Sequence, residues 1–315
     1  MFPYLFEIGG FQIRVYSVMY LIAVLIALYF ARQKSKKMQI NPNYTENIVI
    51  FAFLGGILGA RIYYVLFKWE YYSQFPSEII AIWHGGLAIH GGIIGGIITA
   101  YLVGKHYGIK LFTFGDIILP FLLLGQGIGR FGNFANGEAH GVPVITPPSI
   151  IFRMQNIFPE FWQKVLNTLN LSNTPEGMNK LAAMIDKNKE IFINFQGKMY
   201  ELKEYVSWGI SFPPKYNPPA YQEFGTLAVH PTFFYEMILN VIFASILIYF
   251  WKNDDNIGKG FITGLYLIFY GIIRFFVSFF RADDLMMLMF RAPHVASFVM
   301  IISGIIIIAV KRRNT

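Results

Sequence analysis

Apolar residues in this chain come in long runs rather than in the short alternations of a soluble globule. A membrane-spanning helix needs about 20 predominantly apolar residues. Runs of that kind lie at 14–31, 47–67, 87–104, 113–131, 232–251, 260–280 and 294–310, which predicts seven spans. The first is read as an anchor and not as a signal peptide. Arg32, Lys34, Lys36 and Lys37 follow it, and no small-x-small cleavage site does.

Composition agrees with the pattern. Of the 315 residues, 55% are hydrophobic and 14% charged, against about 25% charged in a typical soluble domain. A water-soluble globule of this balance would expose large apolar patches, and disorder needs the opposite composition. Cysteine is absent, so disulfides, thiolate metal sites and a cysteine nucleophile are excluded. Any thiol in the chemistry belongs to a substrate.

The formal charge of +8 invites a nucleic-acid reading, but its placement answers to a membrane. With residues 32–46 inside the cell, the inner loops and tail also hold Lys105, Lys110, Lys252, Lys259 and Lys311-Arg312-Arg313. The short outer loops offer only Lys68, Arg281 and Arg291. This is the positive-inside distribution, and it predicts the N-terminus outside and the C-terminus inside. Residues 151–230 differ, holding 15 of the 44 charged residues together with Pro213-Pro214 and Pro218-Pro219. Alternation at 191–195 and 199–202 predicts short strands there, and 161–190 reads as helical. The expected fold is therefore an all-α polytopic membrane protein of seven transmembrane helices with a small α+β extracytoplasmic head. Its parts are 1–135 (spans one to four), 136–230 (the head insertion) and 231–315 (spans five to seven).

Within the spans, Gly55/Gly59, Gly91/Gly95, Gly92/Gly96 and Gly125/Gly129 are small-xxx-small pairs suited to close helix packing. Gly125-Gln126-Gly127-Ile128-Gly129 looks like part of a dinucleotide fingerprint, but it neither follows a strand nor opens a βαβ unit. Ionisable residues inside spans are costly and mark functional positions by default. Arg61, His90, Arg130, Arg274, Arg281 and Glu236 all fall in the outer halves of their spans on this topology, as does Tyr16. Asn133, Asn136 and Glu138 follow Arg130 as the chain leaves the membrane. Four arginines at one depth make an electropositive cavity, and arginine is suited to holding a phosphate bidentately. The natural anion at that depth is a phospholipid headgroup. For Arg281 the alternative is snorkelling to the interface. His90, flanked by small residues in Leu87-Ala88-Ile89-His90-Gly91-Gly92, is either a structural histidine or a general base.

The segment Gly129-Arg130-Phe131-Gly132-Asn133-Phe134-Ala135-Asn136-Gly137-Glu138-Ala139-His140-Gly141 closely resembles the signature of bacterial phosphatidylglycerol–prolipoprotein diacylglyceryl transferases. The resemblance extends to Val15-Tyr16-Ser17, Gly59-Ala60-Arg61, His90-Gly91-Gly92, His230-Pro231 with Tyr235-Glu236, and Tyr270-Gly271-Ile272-Ile273-Arg274. It implies transfer of a diacylglyceryl group from phosphatidylglycerol to the lipobox cysteine of a prolipoprotein signal peptide, forming a thioether and releasing glycerol phosphate. The setting it implies is a bacterial cytoplasmic (inner) membrane, with the active face extracytoplasmic. No metal, no cofactor and no nucleic acid is called for.

On that resemblance Arg130 and Arg274 take the phosphate, His90 acts as base, and Tyr16 and Tyr270 donate hydrogen bonds. Asn133, Asn136, Gly137, Glu138, Gly141, Arg61, Glu236 and Arg281 are expected around the substrate. For the two tyrosines the alternative is an interfacial aromatic belt. Ser278 departs from the family pattern, which has glutamate there, leaving Glu236, Asp283 or Asp284 to pair with Arg274. The competing function is a membrane transporter for an anionic lipid or small anion. It predicts internal repeats and access from both faces, whereas the inner halves of these spans are almost wholly apolar.

Overall fold

The computed structural model describes residues 2–8, 11–147, 157–187, 190–253, 260–282, 286–287 and 290–313. Lys259, Asp283 and Asp284, named above, lie outside the described residues. A hairpin of β1 (Tyr4–Ile8) and β2 (Phe11–Arg14) leads directly into α1 (Val15–Lys37). Helix α2 (Pro42–Phe67) begins at Asn41, whose side chain accepts the N–H of Asn43, with Pro42 in the first turn where no N–H is needed. The short α3 (Trp69–Tyr72) and two 3-10 turns precede α4 (Ile89–His106) and α5 (Leu111–Asn136). Next come α6 (Phe158–Leu169), α7 (Pro175–Asp186), the hairpin β3 (Phe192–Phe195) and β4 (Lys198–Glu201), and α8 (Pro219–Phe224). The chain ends with α9 (Thr232–Asn253), α10 (Phe261–Ser278), the strand pair β5 (Met286–Met287) and β6 (Phe290–Arg291), and α11 (Ala292–Arg313).

Among the described residues, α1, α2, α5, α9, α10 and α11 are long and apolar enough to cross a membrane. The expected third span, α4, is not among them. Its 18 residues include His90, Lys105, His106 and several glycines, which dilute its hydropathy. Large side chains such as Leu58, Leu66, Ile93 and Ile97 stay exposed, as lipid-facing residues do. The protein is thus a mostly helical, multi-pass membrane protein.

The chain divides into two compact units. One comprises Leu25–Phe121, Ile248–Thr263 and Ile307–Thr315. Here α2 lies on α4 through the glycine pairs. A Cβ on Gly59 would come within 2.9 Å of the Gly95 Cα and strike the Gly91 carbonyl, while one on Gly91 would strike the Gly59 carbonyl. Without glycine at these points the backbones cannot approach so closely. In the same unit the buried Asp116 accepts the backbone N–H groups of Gly260 (2.7 Å) and Thr263 (2.8 Å) and the Thr263 hydroxyl (2.6 Å). A carboxylate thus caps the start of α10 from another helix, satisfying donors that no residue of α10 itself reaches. Lys34, one of the basic residues that follow the first span, is buried, donating to the Trp251 carbonyl at 2.5 Å.

The other unit comprises Met1–Val24, Leu122–Leu247 and Gly264–Ile306. Its core gathers Phe161, Trp162, Val165 and Leu166 from one face of α6, Met178 and Leu181 from α7, and Ile193 and Phe195 from β3. The helical stretch expected over 161–190 consists of two helices, α6 and α7. The chain turns left-handed at Asn170 (φ 54°), and Thr174 then caps α7 by accepting the N–H of Gly177. The α4 contact supplies a direct test of this packing. Gly59→Val should destabilise the fold by about 1–3 kcal/mol, seen as a lowered thermal midpoint in detergent, whereas an unchanged midpoint would show that the helices do not meet there.

Candidate active site

The C-terminal end of α5 carries the long glycine- and asparagine-rich motif, and its backbone explains the motif's spacing. Gly137 (φ 67°) follows the last helical residue, its N–H donating to the Phe134 carbonyl at 3.1 Å. The Glu138 N–H donates to the Asn133 carbonyl at 2.9 Å. This is a Schellman termination, which requires a left-handed residue where glycine stands. It ends the helix one and a half turns after Arg130 and reverses the chain, so that Arg130, Asn133 and Asn136 remain on helical backbone while Glu138 leaves it.

Glu236, near the start of α9, is the centre of the site. Its side chain is 1% exposed, and it binds two guanidiniums, Arg130 through one oxygen (2.5 Å) and Arg274 of α10 through the other (3.3 Å). Arg130 also donates to the Asn133 side-chain oxygen at 3.2 Å. Two positive charges and one negative leave the trio with a formal surplus of one positive charge. Both arginines are about a fifth exposed, so the surplus is reachable.

Several other expected residues stand near this trio. Tyr270 lies within electrostatic range of Glu236, Arg274, Arg130 and Arg281. Tyr20 lies within range of Arg130 and Glu138 and shares a 2.8 Å hydrogen bond with Tyr16. A Cβ on Gly132 would strike the Tyr16 ring, so the motif's glycine makes room for that tyrosine. Asn136 donates to Glu138 at 3.4 Å. Gly141 pairs across a β-bridge with Arg281 and donates its N–H to the His230 carbonyl at 2.9 Å. A Cβ there would sit 2.7 Å from that of His230, which explains the glycine. His230 in turn lies 3.1 Å from the Tyr235 hydroxyl, to which Trp208 also donates.

Two expected residues belong to the other unit and are described on their own. His90 is exposed on the first turn of α4, its ring 6.2 Å from that of Tyr63. Arg61 is buried, and its donors go to backbone carbonyls: Ile79 (2.8 Å), Gly85 (2.6 Å), Gly86 (2.9 Å), Glu78 (2.5 Å) and Ala81 (3.3 Å). The Tyr72 ring covers it at 5.2 Å. These contacts give Arg61 the work of holding the loop before α4. In the same loop His84 pairs with Glu78 at 2.7 Å.

Sequence reasoning passed over the residues one turn below the arginines. Gln126, set aside with the rejected dinucleotide motif, bonds the Tyr266 hydroxyl at 3.2 Å. Asn240 follows Glu236 by four residues and is fully buried. Four-residue spacing from Arg130 and Glu236 is the signal that finds both.

A family model described as prolipoprotein diacylglyceryl transferase matches residues 3–310. The chain belongs to the prolipoprotein diacylglyceryl transferase family. Relatives within it carry the name phosphatidylglycerol–prolipoprotein diacylglyceryl transferase. The protein of Fusobacterium nucleatum subsp. nucleatum is 37% identical over 299 residues, covering 95% of this chain and 94% of its own. That of Staphylococcus xylosus is 33% identical over 311 residues, covering 98% and 89%. That of Fervidobacterium nodosum is 32% identical over 302 residues, covering 96% and 82%. In this diacylglyceryl transferase family member, Ser278 is buried and its carbonyl accepts from Arg291 at 2.5 Å, while the carboxylate that reaches Arg274 comes from α9.

Proposed function

We propose that this chain moves the diacylglyceryl group of phosphatidylglycerol onto the thiol of the lipobox cysteine of a prolipoprotein, forming a thioether and releasing glycerol phosphate. The observation that carries the reading is the Arg130–Glu236–Arg274 cluster, a buried carboxylate holding two guanidiniums with charge to spare. It suits an anionic headgroup, in a family whose relatives are named for this reaction.

In the reaction a sulfur–carbon bond forms at the glyceryl carbon as its bond to the phosphate oxygen breaks, and the electron pair leaves on phosphate. Arg130 and Arg274 meet that developing charge, and preorganised donors in a low-dielectric site do so without solvent rearrangement. The thiol, with an ordinary pKa near 8.5, must first become a thiolate. His90 takes its proton. Tyr16 and Tyr270 donate hydrogen bonds, and Asn133, Asn136, Gly137, Glu138 and Gly141 shape the headgroup end. Arg281 and Glu236 complete the charge balance around the lipid, and Arg61 bears on the substrate through the loop it holds.

The same reading places α4 across the bilayer as a seventh span, with the N-terminus outside and the C-terminus inside. Residues 136–230 then form an extracytoplasmic insertion between spans in 1–135 and 231–315, on the active face of a bacterial cytoplasmic membrane. Support comes from the basic residues, which gather in one set of alternate loops.

The deciding experiment incubates purified protein with phosphatidylglycerol and a lipobox peptide and follows the thioether by mass spectrometry. Arg130→Ala should lower turnover by about 10²–10³-fold, the usual worth of one such donor, with the protein still folded. Near-normal turnover removes Arg130 from the site. Base catalysis at His90 has its own signature. His90→Gln should lose about 10²–10⁴-fold, and the loss should shrink between about pH 6.5 and pH 9, as the thiol ionises unaided near 8.5. The same fractional activity at both pH values would mean that His90 only positions. For the topology, single cysteines at Asn173 and Lys36 should label oppositely with an impermeant thiol reagent. Asn173 should react in intact spheroplasts and Lys36 only after permeabilisation, and the reverse pattern would turn the molecule over.

A further inference from the structure

A second polar layer lies one helical turn beyond the arginine cluster, on the same three helices. Asn240 follows Glu236 on α9 by four residues and Gln126 precedes Arg130 on α5 by four, while Tyr266, two turns before Arg274 on α10, reaches this level with its hydroxyl, bonded to Gln126. The four-residue spacing keeps the partners on one helix face, about 6 Å apart along the axis. Gln126 and the Tyr266 hydroxyl satisfy each other at 3.2 Å. Asn240 is different. It is 0% exposed, yet among the described residues neither its amide nitrogen nor its amide oxygen has a hydrogen-bond partner. A Cβ on Gly127 would lie 3.2 Å from the Asn240 Cβ and 3.4 Å from the Met237 carbonyl, so α5 and α9 pass close together at the root of this side chain.

A buried amide without a partner is costly, and within the hydrocarbon region water is scarce. Leucine would fill the same space without that penalty. The lipid proposed above supplies a matching group at the matching depth. In a diacyl glycerophospholipid the ester carbonyls hang a few bonds beyond the phosphate-bearing carbon, roughly one helical turn (~5.4 Å) further into the membrane. A phosphate on Arg130 and Arg274 therefore brings an ester carbonyl to the level of Asn240. We infer that Asn240 donates its amide N–H to an acyl-ester carbonyl of the lipid, making the layer beneath the arginines a subsite that reads ester linkage. This rests on the transferase reading.

The test compares diester phosphatidylglycerol with its dialkyl-ether analogue, which keeps the phosphate, glycerol and chains but lacks the carbonyls. The purified full chain in nanodiscs, with a lipobox peptide, should show a KM for the diester about 5–10 times lower than for the diether, the worth of one hydrogen bond. Asn240→Leu and Asn240→Ala, both of which lack the amide donor, should raise the diester KM to the diether value. Equal KM values in the wild-type chain overturn the subsite without any variant having to fold. A loss in the variants that leaves the ester preference intact assigns Asn240 to packing and overturns it too. Transfer from neither lipid by the wild-type chain overturns the transferase reading, and the subsite falls with it.

Discussion

A carboxylate between two guanidiniums is the arrangement on which the site depends. An arginine within an apolar span is expensive unless it is paired or wetted, and two facing each other would be worse. Glu236 makes both tolerable with one side chain, one oxygen for each partner. A second carboxylate would neutralise the group and leave it with no call for an anion. With one, the cluster is held together and still carries charge, so the interaction that stabilises the free protein is also the one that prepares it for a ligand. The surrounding backbone serves this arrangement. The left-handed Gly137 ends α5 just past Asn133 and Asn136, and Gly127 and Gly132 bring α9 and Tyr16 close to it.

Comparison of the arginines shows how one residue type divides its work. Arg130 and Arg274 each direct donors at a side chain and keep part of their surface open. Arg61 directs its donors at main-chain carbonyls and lies buried under Tyr72. The first arrangement exchanges partners when an anion arrives. The second has five carbonyls to abandon, and abandoning them would unmake a loop.

These differences mark where sequence reading succeeds and where it stops. Span positions were legible because length and apolarity are local properties, and α4 escaped the same criterion because glycine and histidine lower its hydropathy. The strands at 192–195 and 198–201 were legible from alternation. The break between α6 and α7 was signalled by Thr174-Pro175, a cap followed by a first-turn proline, which the helical composition of 161–190 obscured. Arg61 and Arg130 look alike in sequence, each an arginine amid small and apolar residues, because a partner contributed by another segment leaves no trace beside the residue it binds. Asp116 and Lys34 are illegible for the same reason, being paired with Gly260 and Thr263 and with Trp251 respectively. Asn240 could have been found, since its spacing from Glu236 is written in the chain.

The clasp around Arg61 bears on how this segment can change over evolutionary time. Its grip falls on the oxygens of residues 78, 79, 81, 85 and 86 and on none of their side chains. Most residue types present the same carbonyl, so the identity of Glu78, Ile79 and Ala81 can drift without loosening the clasp. Length is another matter. Inserting or deleting a single residue between Glu78 and Gly86 would shift several acceptors out of reach together, and Gly86, at φ 76° and against the Arg61 and Tyr64 side chains, has no room for a Cβ. Variation among relatives should therefore run to substitution in this stretch and to insertion elsewhere, with a single guanidinium acting as the ruler that keeps the count.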